Sequence, residues 1–190
     1  MKKYFVFLDI DGTLWDNEGN KIKYVKSKDL NRDSVNAVNY LAEQLKLNGF
    51  NPEIVVISKQ REHWFQCQQL LRWHGLNPNL PLIKLPIGKF TRGERISLLL
   101  HDVSKNKDIY REQRRFTIFD YLHTDFASKC DNYVVIDDDY EALKNIPLSN
   151  YIKTNIDNGR LTHTMVAEYL HRKQMAVQPP LSEQSQPKQK

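Results

Sequence analysis

The chain has 190 residues, 40% of them hydrophobic and 27% charged, and its formal net charge is +5. This length and apolar content suffice for one globular domain with a substantial core, so neither disulfides nor a structural metal are needed to hold it together. The two cysteines, Cys67 and Cys130, have no metal-ligand spacing, and no apolar stretch is long enough to span a membrane. We therefore expect a cytoplasmic protein without a membrane partner. The sequence does not indicate its oligomeric state.

Apolar runs and amphipathic segments alternate along the chain. Residues 3–10 are almost continuously apolar or aromatic, which is typical of a strand buried on both faces of a parallel sheet. Residues 33–48 carry apolar side chains at helical spacing, with Asp33 as the predicted N-cap and Gly49 just beyond the end. A second buried strand is predicted at 53–58, so the pattern indicates a strand-helix-strand unit.

The alternation continues to the end of the domain. The helix after the second strand has Trp64, Cys67 and Leu71 on one face and ends before Gly75. The remaining predicted elements are a short strand at 81–85, a helix that begins near residue 91, a helix at 108–122, a strand at 133–136, a short helix at 140–144, a strand at 151–154 and a closing helix at 162–171.

Strands that alternate with helices predict an α/β fold with an open, doubly wound, Rossmann-like parallel sheet. The folded domain is expected at 1–175, and the helical segment at about 86–107 is interpreted as an insertion. The composition of residues 176–190 changes to Gln, Pro, Ser and Lys, which predicts a disordered polar tail.

Two aspartates, Asp9 and Asp11, follow the first predicted strand in the segment Asp-Ile-Asp-Gly-Thr. Carboxylates at this spacing can both reach one phosphorus centre, because Gly12 lets the chain turn sharply. One carboxylate can then attack while the other handles protons. A carboxylate attacks a dianionic phosphate only where a cation neutralises the repulsion, so the motif implies Mg²⁺ held by oxygen ligands.

Other polar residues follow later strands. Three consecutive aspartates at 137–139 come directly after a predicted buried strand, and a cation would relieve their mutual repulsion, although one of them is also a candidate N-cap. Ser58 follows the second strand, a position that a turn residue or a helix cap also explains. The ligand site of a doubly wound sheet lies at the carboxyl ends of its strands, where Asp9, Ser58 and Asp137 all fall.

With these motifs, residues 3–170 resemble the haloacid dehalogenase (HAD) superfamily, whose first motif is DxDx[TV] after the first strand. The resemblance identifies Ser58 with the second motif, and Asp137 and Asp138 with the fourth. The third motif is normally a lysine, and the sequence departs from the family here. The best-aligned residue is Arg115, and its competitors are Arg114, Arg111 and Lys105.

The resemblance also implies a role for each residue. Asp9 would attack phosphorus to form an aspartyl-phosphate, and Asp11 would protonate the leaving oxygen and then activate water. The need for such a proton donor favours phosphate chemistry over dehalogenation, because a halide leaves without a proton. The implied Mg²⁺ ligands are the Asp9 carboxylate, the Asp11 carbonyl and Asp137 or Asp138, and the implied phosphate-binding residues are Ser58 and Arg115.

Two narrower resemblances point to different substrates. The segment 55–62 looks like the phosphatase domains of polynucleotide kinase-phosphatases and related RNA-repair proteins, whose substrates are phosphorylated polynucleotide ends. The segment 84–115 supports this, since its nine basic and four acidic residues account for the net charge of +5. Solvated helix faces would explain the same charges. The segment 9–15, with the spacing of Thr117 and Phe119, is similar to small magnesium-dependent phosphatases acting on phosphotyrosine or sugar phosphates.

Two more expectations concern access and activity. Residues 14–31 are too few and too polar for a large cap, so a minimal cap and an open site are expected. The alternative to an enzyme is a catalytically silent HAD domain that binds nucleic acid through its basic segment and tail. The intact acidic motifs argue against this alternative.

Overall fold

The computed structural model describes residues 1–15, 30–58, 60, 63–84, 132–139, 146–154 and 160–178, with the main chain only for Lys84. The predictions that lie outside the described residues are the small cap, the insertion at 86–107, the helices near 91, at 108–122 and at 140–144, and Arg115.

The described residues form one five-stranded parallel sheet. Its strands are β1 (Lys2–Leu8), β2 (Phe50–Val56), β3 (Leu82–Lys84), β4 (Tyr133–Asp137) and β5 (Tyr151–Lys153). They lie in the order β3-β2-β1-β4-β5, with every neighbouring pair parallel. The chain runs outward from β1 to β3 and then returns to add β4 on the other side of β1. The topological switch point, where ligands bind in such folds, therefore lies between β1 and β4.

The described helices are α1 (Arg32–Leu47), α2 (Trp64–Trp73) and α3 (His163–Arg172), and a single 3-10 turn at Leu148–Asn150 leads into β5. The prediction that Asp33 caps α1 is wrong. The cap is Asn31, whose side chain accepts a hydrogen bond from the Ser34 N–H. The cap therefore lies two positions earlier than predicted. Asp33 is in the first turn of the helix, where its negative charge interacts favourably with the helix dipole.

Both faces of the sheet are buried, as the apolar run of the first strand predicted. Tyr4, Val6 and Leu8 belong to the core cluster that includes α1, α2 and α3. Phe5 and Phe7 alternate with them and belong to a second cluster on the opposite face. The members of that second cluster outside β1 are Val55, Ile57, Tyr133, Val135, Ile146 and Tyr151. In the observed register, Val6 lies opposite Ile54 of β2 and Val134 of β4.

The strand and helix predictions within the described residues are confirmed, with changes at their ends. The largest change is in β2, which begins at Phe50 rather than at residue 53. Asn51 and Pro52 interrupt the apolar pattern after Phe50, but all three residues pair in register with the start of β1. Among the helices of the described residues, none is long and apolar enough to cross a membrane.

The start of the predicted tail is attached to α1. The Ala176 N–H donates to Asn48 Oδ1 at 3.0 Å, and the Gln178 N–H donates to Gln44 Oε1 at 2.7 Å. Tyr40 donates its hydroxyl to the carbonyl of Gln178 at 2.8 Å. The predicted disorder covered residues 176–190, and it stays a prediction for 179–190, which lie outside the described residues.

Candidate active site

Main-chain hydrogen bonds just beyond the strands align the carboxyl ends of β1, β2 and β4. The Asp9 N–H donates to the carbonyl of Ile136 at 2.9 Å, and the Ile57 N–H donates to the carbonyl of Leu8 at 3.0 Å. Parallel strands all present their carboxyl ends at one edge of the sheet, so the residues that follow them meet there. Asp9, Ser58 and Asp137 occupy this edge and are all buried.

Three aspartates form an acidic cluster at the switch point. One carboxylate oxygen from each of Asp9, Asp137 and Asp138 lies within 4.8 Å of the others. Asp9 and Asp137 are buried, whereas Asp138 is half-buried. Asp137 is fixed in part by the Asp139 N–H, which donates to its Oδ1 at 2.8 Å. Three carboxylates at this separation, on the buried end of a sheet, form a donor set suited to a hard divalent cation.

Gly12 brings the first motif close to the acidic cluster. Its φ is +76°, a left-handed conformation that side chains other than glycine rarely adopt. The Asp138 carboxylate occupies the space that a β-carbon on Gly12 would need. Glycine at this position is therefore required both by the turn and by the approach of Asp138.

Asp11 is held by the loop that follows β2. Ser58 donates its hydroxyl to Asp11 Oδ2 at 3.0 Å, and the side-chain amide of Gln60 donates to Asp11 Oδ1 at 3.2 Å. The main-chain N–H of Gln60 also donates to Ser58 Oγ at 3.2 Å. Each oxygen of the half-buried Asp11 carboxylate thus accepts one hydrogen bond, which fixes its orientation.

The turn after Asp11 makes hydrogen bonds to the end of β5 and to the residues that precede α1 and α3. The buried hydroxyls of Thr13 and Thr154 lie 3.0 Å apart, which joins the turn to the end of β5. The Leu161 N–H donates to the carbonyl of Thr13 at 3.0 Å, and the Asn31 N–H donates to that of Leu14 at 2.9 Å. These contacts fix the turn in addition to the hydrogen bonds that Ser58 and Gln60 donate to Asp11.

Cys67, on α2, is buried in the core. Burial and, secondarily, the nearby Asp11 carboxylate raise the pKa of its thiol to about 12. The thiol is therefore protonated at neutral pH and is a poor nucleophile. This agrees with its predicted place beside Trp64 and Leu71 on one face of the helix.

The predicted site residues fall into two contact groups in the described residues. Asp9, Asp137 and Asp138 form the acidic cluster, and Asp11 contacts Ser58. Arg115 lies outside the described residues. Trp15 is buried and Trp64 packs against the core, while Trp73 is 85% exposed.

Sequence reasoning missed two residues of the site, Gln60 and Thr154. Gln60 lies in a loop and contacts a residue 49 positions away, so no periodicity indicates its partner. Thr154 was predicted only as the last residue of a strand. A polar residue at the carboxyl end of β5 is the same signal that identified Ser58, and it could have been applied to Thr154.

Comparisons with known proteins identify the family. A model of the HAD domain in Swiss Army Knife RNA repair proteins matches residues 5–165. Neither the curated proteins nor the solved structures gave a match. The match covers the larger part of β1, the other four strands and the acidic cluster, and the parallel α/β sheet fits the HAD fold. The chain therefore belongs to the HAD superfamily, in the family of HAD domains found in Swiss Army Knife RNA repair proteins.

Proposed function

We propose that the protein is a Mg²⁺-dependent phosphomonoester hydrolase that forms an aspartyl-phosphate on Asp9 and acts on the terminal phosphate of a nucleic acid. The observation that carries this proposal is the convergence of Asp9, Asp137 and Asp138 within 4.8 Å at the sheet's switch point. Asp11, two residues from Asp9, supplies the proton-transfer group.

The acidic cluster fits a magnesium ion by its chemistry. Carboxylate oxygens are the ligands that Mg²⁺ prefers, and an ion bound among three of them would offset their mutual repulsion. Asp9, Asp137 and Asp138 would hold the ion, together with the main-chain carbonyl of Asp11. When bound, the metal lowers the repulsion between the Asp9 carboxylate and the phosphate dianion.

In the first step, an oxygen of Asp9 forms a bond to phosphorus while the bond from phosphorus to the leaving oxygen breaks. Asp11 gives its proton to that oxygen, which departs as an alcohol. In the second step, Asp11 takes a proton from a water molecule, and the water oxygen attacks the phosphorus. The bond from phosphorus to Asp9 breaks, so the carboxylate is restored and phosphate is released.

Ser58 and a cation complete the proposed phosphate site. The Ser58 hydroxyl is next to Asp11 and could donate to a phosphoryl oxygen instead, as the second motif of the superfamily does. Arg115 is our candidate for the cation, because guanidinium grips phosphate with two parallel donors. Arg114, Arg111 and Lys105 remain competitors for this role.

The proposed substrate class has two sources of support. The matching family is described by its occurrence in RNA repair proteins. The chain also concentrates its positive charge between residues 84 and 115, as a contact surface for a phosphodiester backbone would. We therefore favour a polynucleotide end over phosphotyrosine or a sugar phosphate.

The function is tested by hydrolysis of an aryl phosphate with Mg²⁺ and with excess chelator, in the wild type and in Asp9→Asn. We expect Mg²⁺-dependent turnover that Asp9→Asn abolishes. A panel of phosphorylated oligonucleotide, mononucleotide, phosphotyrosine and sugar phosphate then ranks substrates by kcat/KM. A well-folded wild type that hydrolyses none of them would leave the silent nucleic-acid-binding domain as the better account.

A further inference from the structure

The loop after β2 makes contacts that the HAD motifs do not explain. Gln60 uses two groups at once: its main-chain N–H donates to Ser58 Oγ at 3.2 Å, and its side-chain amide donates to Asp11 Oδ1 at 3.2 Å. Ser58 closes the set by donating to Asp11 Oδ2 at 3.0 Å. Gln60 is half-buried, so solvent competes only in part with these bonds.

Ser58 cannot hold Asp11 and a phosphoryl group at the same time. A serine hydroxyl has one proton to donate. When that proton is donated to a phosphoryl oxygen, Asp11 Oδ2 loses its hydrogen bond, and Gln60 remains as the donor to Asp11 Oδ1. Within the described residues, the hydrogen bond from the Gln60 amide is then the contact that fixes the orientation of the Asp11 carboxylate while substrate is bound.

We propose that Gln60 is a positioning residue: its side-chain amide fixes Asp11 for proton transfer to the leaving group while Ser58 is engaged with the phosphoryl group. This inference rests on the proposed hydrolase function. Gln60 need not contact the substrate, because it acts through Asp11. Its removal should therefore slow the step that needs a proton and leave phosphate binding nearly unchanged.

The test is a series of substituted phenyl phosphates whose leaving groups differ in basicity, with Gln60→Met. Methionine has a similar length but donates no hydrogen bond, and the main-chain contact to Ser58 is retained. We measure kcat/KM, which reports formation of the aspartyl-phosphate. We expect a loss of about tenfold for phenyl phosphate, whose leaving oxygen needs a proton, and under about twofold for dinitrophenyl phosphate, which leaves without one.

Three further variants make the readout specific. In an Asp11→Asn background, Gln60→Met should cause no additional loss, because the residue acts through Asp11. Gln69→Met, an exposed glutamine on α2, is the matched control and should keep wild-type rates across the series. Gln60→Glu retains the length and places an acceptor against Asp11, so it should show the same dependence on the leaving group as Gln60→Met.

The possible results separate this inference from the function on which it rests. Equal losses of kcat/KM across the series, no loss at all, or a further loss in the Asp11→Asn background would each overturn the role of Gln60 and leave the hydrolase intact. A wild type without Mg²⁺-dependent turnover of any phosphate in the series would overturn the hydrolase, and the role of Gln60 with it.

Discussion

The Asp138 carboxylate lies in the space that a β-carbon of Gly12 would fill. The two residues are 126 positions apart in the printed sequence, and each follows a different strand of the central pair. The glycine of the first motif therefore does more than turn the chain. The absence of a side chain at Gly12 leaves space for the Asp138 carboxylate, which follows β4.

Gly12→Ala should reduce Mg²⁺ affinity as well as stability. Alanine is strained at a φ of +76°, at a cost of about 1 kcal/mol or more, and its β-carbon would displace Asp138 from the acidic cluster. The measurements are the Mg²⁺ concentration for half-maximal activity and the free energy of unfolding. We expect the first to rise toward the value for Asp138→Asn.

Gly49→Ala is the matched control for this substitution. Gly49 has a similar φ of +83°, but nothing lies within 4 Å of the position of its β-carbon. It should lose stability through backbone strain and keep the wild-type Mg²⁺ requirement. If both alanine variants change the Mg²⁺ requirement equally, the contact between Gly12 and Asp138 has no part in metal binding.

Asp9→Asn should abolish turnover and weaken stabilisation by Mg²⁺. The amide fills the same buried space but cannot form the acyl-phosphate, so we expect kcat to fall by at least about a hundredfold. Saturating a site in the folded state at a hundred times its Kd adds about 2.7 kcal/mol to the free energy of unfolding, and losing a ligand should shrink this gain. The measurements are kcat and melting with and without Mg²⁺. Asp33→Asn, in the exposed first turn of α1, should behave as wild type in both, whereas Asp9→Asn with substantial kcat would exclude Asp9 as the nucleophile.

The Thr13 and Thr154 hydroxyls should be coupled in stability. Thr13→Val or Thr154→Val leaves one buried hydroxyl without its partner, at a cost of about 1–3 kcal/mol, whereas replacing both removes the unmet hydrogen bond. A double-mutant cycle of unfolding free energies checks this, and the double variant should be less destabilised than the sum of the singles. Simple additivity would mean that the two hydroxyls do not depend on each other.

The acidic cluster was predictable because it depends on strands. Continuous apolar runs located β1 and β4, and parallel pairing then requires Asp9 and Asp137 to meet at one edge. The prediction therefore needed the positions of the strands and no distance between the carboxylates. The same logic placed Ser58 at that edge, after β2.

The contacts of Asp11 were not predictable in this way. They depend on where a loop after β2 places the amide of Gln60, and loop conformation has no period in the sequence. The prediction of the α1 cap was wrong for a related reason. Asn31 and Asp33 are both good capping residues two positions apart. The hydrogen bond from the Asn31 N–H to the carbonyl of Leu14 favours Asn31, and this long-range contact has no signal in the sequence.

Above about pH 9, the protein should become less stable with rising pH in part through Cys67. Burial raises the pKa of this thiol to about 12 in the folded state, from an ordinary value of 9.0. At a pH above 9.0, the Cys67 thiol loses its proton in the unfolded chain but retains it in the folded chain. Unfolding is therefore favoured as the pH rises from 9.0 toward about 12. Cys67→Ala should flatten this part of the stability profile, measured by denaturant unfolding at several pH values. Since alanine also leaves a small cavity, the decisive quantity is the slope with pH rather than the absolute stability. An unchanged slope would contradict the prediction.

The basic segment at 84–115 makes the substrate class testable through salt. Each backbone phosphate that Lys or Arg neutralises releases condensed counterions, so binding of a single strand weakens with a log-log slope of roughly −0.7 per contact. A small phosphoester makes few such contacts, and its turnover should respond far less to salt.

Replacing Lys89, Arg92 and Arg95 with alanine should therefore weaken binding of a phosphorylated oligonucleotide and flatten its salt slope, because three candidate phosphate contacts are removed. Hydrolysis of a small aryl phosphate should barely change. The measurements are Kd at several salt concentrations and kcat/KM for the aryl phosphate. As a control, Lys2 and Lys46 are replaced with alanine; both are exposed, at the start of β1 and in the last turn of α1, away from the carboxyl ends of the strands. The control should keep the wild-type slope. If the triple variant also keeps it, the segment is a solvated surface, and a small phosphorylated molecule becomes the better substrate class.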